Sequence, residues 1–195
     1  SSRYRALIPA AELEKRGVQE GTDWLVIGKH GWDWERETSG FRRVCFDVCD
    51  DHFATENEDH YRKACRDADR LTCNSPAMAK IIQAETGRSA VVIPDPYEQQ
   101  ERPARVHDRL LWFGNQINLP DLMPWLDRLE NIEIVADGNI KSVTQWSPTT
   151  MDAAFSRAGL VIIPTGKMLG KSGNRAIESL RRGLFVVAGY LPAYA

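Results

Sequence analysis

The chain has 195 residues, 43% of them hydrophobic and six of them Trp, so it can bury a core and is no disordered tail. Its 25 Lys and Arg against 27 Asp and Glu give a net charge of −2, which excludes a broad positive field for nucleic acid or anionic membrane. No apolar run approaches the roughly 20 residues that span a bilayer, and the basic, polar N-terminus does not read as a signal peptide; the composition predicts a soluble, cytoplasmic protein with at most peripheral membrane contact.

In chain order, Leu7, Ala10, Ala11 and Leu13 recur at helical spacing and Gly17 follows as a stop, which predicts a helix from Arg3 to Arg16. Residues 23–28 read as a buried strand, 30–41 as a loop whose Trp32 and Trp34 either offer flat faces for a ligand to stack on or anchor the loop, and 42–48 as a second strand. A helix is expected over 53–68, a short strand at 70–73, a helix at 75–86 begun by Ser75-Pro76, and a strand at 90–93. Cys45, Cys49, Cys65 and Cys73 form no CxxC pair and have no zinc-finger histidines, so reduced thiols on core or helix faces are expected.

Residues 94–108 carry three prolines, several charges and few apolar residues, the composition of a linker. The pattern then restarts, with strands at 109–113, 132–136, 159–163 and 184–188 and helices near 119–129, 149–158 and 172–182. Apolar strands alternating with amphipathic helices indicate parallel sheets covered on both faces. The predicted fold class is α/β, with two Rossmann-like doubly wound parallel-sheet domains: an N-terminal domain over 1–97, a linker at 98–108 and a C-terminal domain over 109–195. In such sheets ligands bind beyond the carboxyl ends of the strands, which places a site in the loops at 49–53, 114–118, 137–148 and 164–172.

The richest of these is the loop that opens GKSGNRAIESLRRGLFVV, residues 170–187. A helix starting near Ser172 presents free N–H groups and a positive dipole end, and Gly170 and Gly173 allow close approach, so phosphate is the natural occupant. Lys167 and Lys171 add cations, and Ser172 can cap the helix or donate to a phosphate oxygen. A phosphate loop of the GxxxxGK[ST] type fits Gly166 to Ser172 only one residue short. Glu178 lies less than two turns into the helix, where it can accept from ribose hydroxyls or pair with Arg181 or Arg182 at i+3 or i+4.

The run from Gly173 to Val187 resembles the donor-site segment of GT-B glycosyltransferases of the family-four type, E-x-F-G-x-x-x-x-E-A-x-A-x-G-x-P-V-V. VVIPDPYE at 91–98 is similar to the segment closing the family's N-terminal domain, and LLWFGN at 110–115 to the strand opening its C-terminal domain. The resemblance implies that Glu178 holds a nucleotide ribose and that donor phosphates rest at Gly173 and Asn174, with Gly114 and Asn115 beside them. The pattern departs at Gly170, where the family has its first glutamate, and at Asn115, where it has an arginine. No lysine of QINLPDL completes a diphosphate clamp, and Lys167 and Lys171 are the candidates to replace it. Relative to the family pattern, the first strand would precede Ser1 and the closing helices would follow Ala195.

In the N-terminal half, FDVCDDHF places Asp50, Asp51 and His52 at the end of a strand. The resemblance implies a histidine facing the donor sugar, and His52 is the candidate, with Asp50 or Asp51 orienting it or binding the acceptor. The other reading has Asp51 or His52 capping the next helix. The adjacent aspartates do not match a DxD metal site, so no metal and no cofactor are expected. Arg3 and Arg5 either hold an acceptor phosphate or acidic sugar or sit on a solvated helix start.

The predicted activity is transfer of a sugar from a nucleotide-sugar donor to a saccharide, lipid-linked or other acceptor, retaining and metal-independent. The alternatives are a non-catalytic GT-B-like module that binds a nucleotide or glycan, and a nucleotide-sugar epimerase of related fold. A nicotinamide dehydrogenase is disfavoured because no GxGxxG follows a predicted strand.

Overall fold

All strand pairing among the described residues is parallel and lies in two separate sheets. The computed structural model describes residues 3–19, 21, 23–28, 33–96, 101–138, 140, 143–164 and 171–192. They form two compact units: one runs to Pro96 and also takes in Lys171 and Ser172, and the other comprises residues 101–164 and Gly173 onward. No helix among them is long and apolar enough to cross a membrane.

The first unit opens with a π-helical turn, Arg3–Leu7, leading into α1, Ile8–Lys15. Its sheet is β1 (Trp24–Ile27), β2 (Arg43–Val48), β3 (Arg70–Cys73) and β4 (Val91–Val92), paired in chain order. The connections carry α2 (Trp34–Thr38), α3 (Glu58–Asp67) and α4 (Pro76–Thr86). With no reversal of strand order, right-handed crossovers place these three helices on one face. Alternation along β2 turns Val44, Phe46 and Val48 into that core, with Leu71, Tyr61 and Ile82 packed around them. On the other face Val26 and Val91 are well exposed. The doubly wound arrangement expected of this half is therefore absent from its described strands.

Local chemistry accounts for the element ends. Ser75 accepts from the Met78 N–H at 3.1 Å to cap α4, with Pro76 in its first turn and Gly87 in the left-handed conformation beyond its end. Arg88 donates to the Ala68 carbonyl at 2.6 Å and to the Cys65 carbonyl, covering the open end of α3. The loop at 30–41 holds α2, and its Trp34 is buried edge-on against Phe46 at 5.6 Å, a core residue and no sugar platform. Trp32 lies outside the described residues. All four cysteines are free thiols, three of them buried.

The second unit contains β5 (Leu110–Asn115), β6 (Ile132–Asp137), β7 (Thr144–Gln145), β8 (Leu160–Ile163) and β9 (Phe185–Ala188), in the order β7-β6-β5-β8-β9. The chain winds outward from β5 to β7 and returns to β8 on the other side of β5, which is doubly wound topology with its reversal between β5 and β8. α5 (Leu119–Leu122) packs one face, with Leu122 against Trp112 and Ala136. α6 (Pro148–Arg157) and α7 (Asn174–Arg181) pack the other over Leu111, Val135, Val161 and Ile163. Pro120 and Pro124 explain why the helix expected over 119–129 is broken into short α and 3-10 pieces. Residues 101–108 are extended along this unit: the Arg102 and Arg105 N–H groups donate to the carbonyls of Arg181 and Gly183 at 2.8 and 2.9 Å.

Candidate functional site

The reversal between β5 and β8 marks where the second sheet offers a crevice at its carboxyl end. β5 delivers Gly114 and Asn115 to that edge. The Asn115 amide donates to Asp137 at 2.9 Å, and its side-chain oxygen accepts from the Ile117 N–H at 2.9 Å. Asp137 also accepts from the Gln116 N–H at 3.0 Å. Asn115 is thus a turn-builder that ties the end of β5 to the end of β6, which an arginine could not do with the same short reach.

After β8 the chain returns to open α7. The helix begins at Asn174 with buried Gly173 as its N-cap, and no side chain caps it. Ser172, expected as a cap, stands one residue before the N-cap position, which Gly173 occupies. Lys171 and Ser172 are half-buried and group with the first unit. Lys167 and Gly170 lie outside the described residues. Arg175, in the first turn, reaches back over β5: one guanidinium nitrogen donates to the Phe113 carbonyl at 3.3 Å and lies 3.2 Å from where a Cβ on Gly114 would be.

Glu178 is buried, and so is Arg182 one turn on. Arg182 donates from Nε to Glu178 Oε1 at 2.7 Å and from its terminal nitrogen to Asp152 at 2.7 Å, while its guanidinium lies over the Phe155 ring at 4.3 Å. Burial works against the charge of Arg182, but its bonds to Glu178 and Asp152 outweigh that and raise its pKa. The other oxygen, Oε2, is buried and has no hydrogen-bond partner among the described residues. An ion pair with one carboxylate oxygen left unsatisfied in the interior is an arrangement that a ligand hydroxyl or a water would complete.

In the first unit, Asp50, Asp51 and His52 follow β2 and are half-buried. The helix expected from residue 53 starts only at Glu58, with Asn57 at its N-cap and no side-chain cap, so neither Asp51 nor His52 caps it. Asp51 instead accepts from the Phe53 N–H at 3.2 Å in a local turn, and the His52 ring stacks on Tyr61 at 4.6 Å. Burial and the nearby Asp50 charge raise the Tyr61 hydroxyl well above its ordinary value.

Arg5 is not presented as a free cation for an acceptor. It forms a buried ion pair with Asp47 on the face of β2 opposite α2 to α4, donating from Nε at 2.8 Å and again from a terminal nitrogen, with Asp95 at 3.4 Å and the Ile93 carbonyl as further partners. Asp47 also accepts from Thr72 at 2.5 Å and from the Cys49 thiol at 3.1 Å. Burial tends to raise the Asp47 pKa, but these donors and the Arg5 charge hold it below the usual carboxylate value. The Arg3 side chain lies outside what the structure describes.

The structure therefore gathers Gly114, Asn115, Gly173, Asn174 and Glu178 in one unit, on β5 and α7. Arg175 and Asp47 were given no role by sequence reasoning. Arg175 lies inside the run that carried the resemblance, but only the reversal of strand order puts its side chain over Gly114. Asp47 had the signal of a charged residue inside an apolar strand.

No protein-family model matches this chain, and a search of curated proteins finds no match.

Proposed function

We propose that the chain is a GT-B-type glycosyltransferase whose second unit binds a nucleotide-activated sugar, with phosphates at the N-terminus of α7 around Gly173 and Asn174 and the ribose at Glu178. The observation that carries the reading is Glu178: a buried carboxylate with one oxygen on Arg182 and the other unsatisfied, on the helix that starts where the doubly wound sheet reverses. Transfer would rest on positioning and on stabilising the departing diphosphate by the helix end and nearby cations, without a metal, and with retention of configuration as the family resemblance implies. His52, with Asp50 and Asp51, is proposed on the acceptor side, and the acceptor is a saccharide, a lipid-linked sugar or another hydroxyl compound.

A second reading, a non-catalytic module that binds a nucleotide or glycan, is favoured by the commitment of Arg5 to Asp47. Thermal unfolding with UDP, GDP, ADP and their sugars tests the site common to both. A ligand at 100 times its Kd stabilises by about 2.7 kcal/mol, and at least one of these nucleotides is expected to raise the melting temperature. If none does, the nucleotide site is refuted. The ligand-induced increment should shrink in Glu178→Gln, which keeps an oxygen for Arg182 but puts an amide at the second position. Transfer or hydrolysis of the stabilising sugar nucleotide by wild type then decides for the enzyme, and binding without turnover decides for the module.

A further inference from the structure

α7 has eight residues, Asn174–Arg181, and Glu178 opens its last turn. A helix this short is marginal by itself, since about 12–15 residues are needed to offset nucleation in water, so the groups at its carboxyl end decide whether that turn stays wound. The carbonyls of Glu178, Ser179 and Leu180 accept from the N–H groups of Arg182, Leu184 and Gly183, all local. The next three carbonyls do not rely on local donors. The Arg181 carbonyl accepts from the Arg102 N–H at 2.8 Å, the Arg182 carbonyl from the Arg105 guanidinium at 3.3 Å, and the Gly183 carbonyl from the Arg105 N–H at 2.9 Å. Segment 101–105 therefore fastens the end of α7 across three successive residues. The middle one, Arg182, is the residue whose side chain grips Glu178 Oε1 at 2.7 Å.

We infer that segment 101–105 is a strap that sets the nucleotide affinity of the second unit. Docked, it keeps the last turn of α7 wound and the Arg182 backbone one turn beyond Glu178, so that the carboxylate is held for the ribose; detached, it lets both go. This coupling rests on the nucleotide reading of the second unit and gives that site a positioning residue, Arg105, which acts through Arg182 and Glu178. By reciprocity, a nucleotide that needs Glu178 in place tightens the strap by the factor with which the strap tightens the nucleotide. A strap that only stabilised the unit would, once loosened, leave fewer folded molecules, each binding as well as before. An arginine that acted by its charge alone would favour diphosphates and leave nucleosides unaffected, whereas a strap acting through Glu178 favours both, because both carry the ribose.

The test is titration, followed by amide NMR signals, of wild type, Arg105→Lys, Arg105→Ala and Arg105→Pro with UDP, GDP and ADP and with the matching nucleosides, together with amide hydrogen exchange in wild type. For the base that wild type prefers, Arg105→Pro, which removes both donors of that residue from a segment already extended, is expected to weaken nucleoside and diphosphate alike by at least about fivefold, the low end of typical coupling between sites. Arg105→Ala loses the guanidinium bond alone and should fall between it and wild type. Arg105→Lys, which can still donate to the Arg182 carbonyl, should bind more tightly than Arg105→Ala. In wild type without ligand, the Arg102 and Arg105 amides should exchange faster than those of β5, because only the strap has to leave, and saturating nucleotide should slow them at least about fivefold. Unchanged affinity in Arg105→Pro, a loss confined to the diphosphate, or strap amides that exchange no faster than β5 or do not respond to bound nucleotide overturns the inference while the nucleotide site stands. Failure of wild type to bind any of the three diphosphates overturns both. If Arg105→Pro does not fold, Arg105→Ala and the wild-type exchange rates decide on the same criteria.

Discussion

Replacing Gly183 by alanine should be among the most damaging single changes in the second unit. Gly183 ends α7 with φ at +78°, and its N–H and that of Leu184 close onto the Leu180 and Ser179 carbonyls at 2.9 and 3.1 Å, a Schellman ending. An added Cβ would lie 2.1 Å from the Pro103 carbonyl oxygen and 2.8 Å from its carbon, both backbone atoms. The segment cannot withdraw freely, because the Arg102 and Arg105 N–H groups are bonded to Arg181 and Gly183. The left-handed conformation costs alanine about 1–2 kcal/mol and forced overlap about 1–3 kcal/mol more, against the roughly 5–15 kcal/mol that typically holds a domain folded. Gly138 provides the control within the same unit. Its φ is +97°, but its Cβ would meet only the end of the Gln116 side chain, which can rotate away, so Gly138→Ala should incur the conformational cost of about 1–2 kcal/mol alone. Urea unfolding followed by far-ultraviolet circular dichroism, with unchanged m-values, measures both. Equal losses in the two variants would refute the docking of residues 101–105 on the end of α7.

Asp47 makes a prediction with a definite sign in pH. Its folded pKa is lowered, so its stabilisation is fully present above its unfolded pKa of about 3.9 and is lost as pH falls through the lower folded value. Asp47→Asn should cost about 3–5 kcal/mol at pH 7, by leaving Arg5 buried with Asp95 as its sole carboxylate, and the gap from wild type should narrow below about pH 4; an unaltered urea midpoint at pH 7 would remove the ion pair from the stability argument. The thiols should be slow to react in the native state. Burial raises all four, Cys65 to about 12, and labelling with a chromogenic disulfide at pH 8 should reach half-buried Cys45 first and the rest only with unfolding. Rapid labelling of three thiols in the folded protein would contradict this burial.

Most of the fold was legible because the two patterns that specify it are local. Apolar runs such as LLWF and LVII end at Gly114 and Pro164, and Ser75-Pro76 announces a helix start that the structure confirms with a hydrogen bond from the Met78 N–H group. What was not legible depends on distant partners. Strand order is one case: nothing local distinguishes the chain-order first sheet from the reversed second one, since both repeat strand and helix with similar spacing. The late start of α3 is another, because Asp51 and Thr55 bond to nearby backbone and build turns where apolar periodicity alone suggested helix. The three prolines of 94–108 suggested a linker, yet the small residues that receive Pro103 and His107, Gly183 and Gly159, lie more than 50 residues away in sequence.

The two readings of Glu178 show why sequence poses a sharper alternative than the molecule does. A helix glutamate four residues before an arginine reads either as half of an ion pair or as a ligand group, but a carboxylate has two oxygens, and here only Oε1 is taken by Arg182. Arg182 is itself fixed by Asp152 and by the Phe155 ring. The pair therefore holds Glu178 in one rotamer, which removes the ordering cost of about 0.5–1.5 kcal/mol that a free side chain would bring to binding. In the proposed nucleotide site, ion pairing and hydroxyl recognition would be successive links of one arrangement: Asp152 and Phe155 orient Arg182, Arg182 orients Glu178, and Oε2 has no partner among the described residues. A variant that breaks the first link should weaken nucleotide binding without touching the nucleotide. Asp152→Ala, at an exposed residue, should leave stability within about 1 kcal/mol of wild type, and an unchanged nucleotide affinity in that variant would show that Phe155 alone is enough to hold the chain of contacts in place.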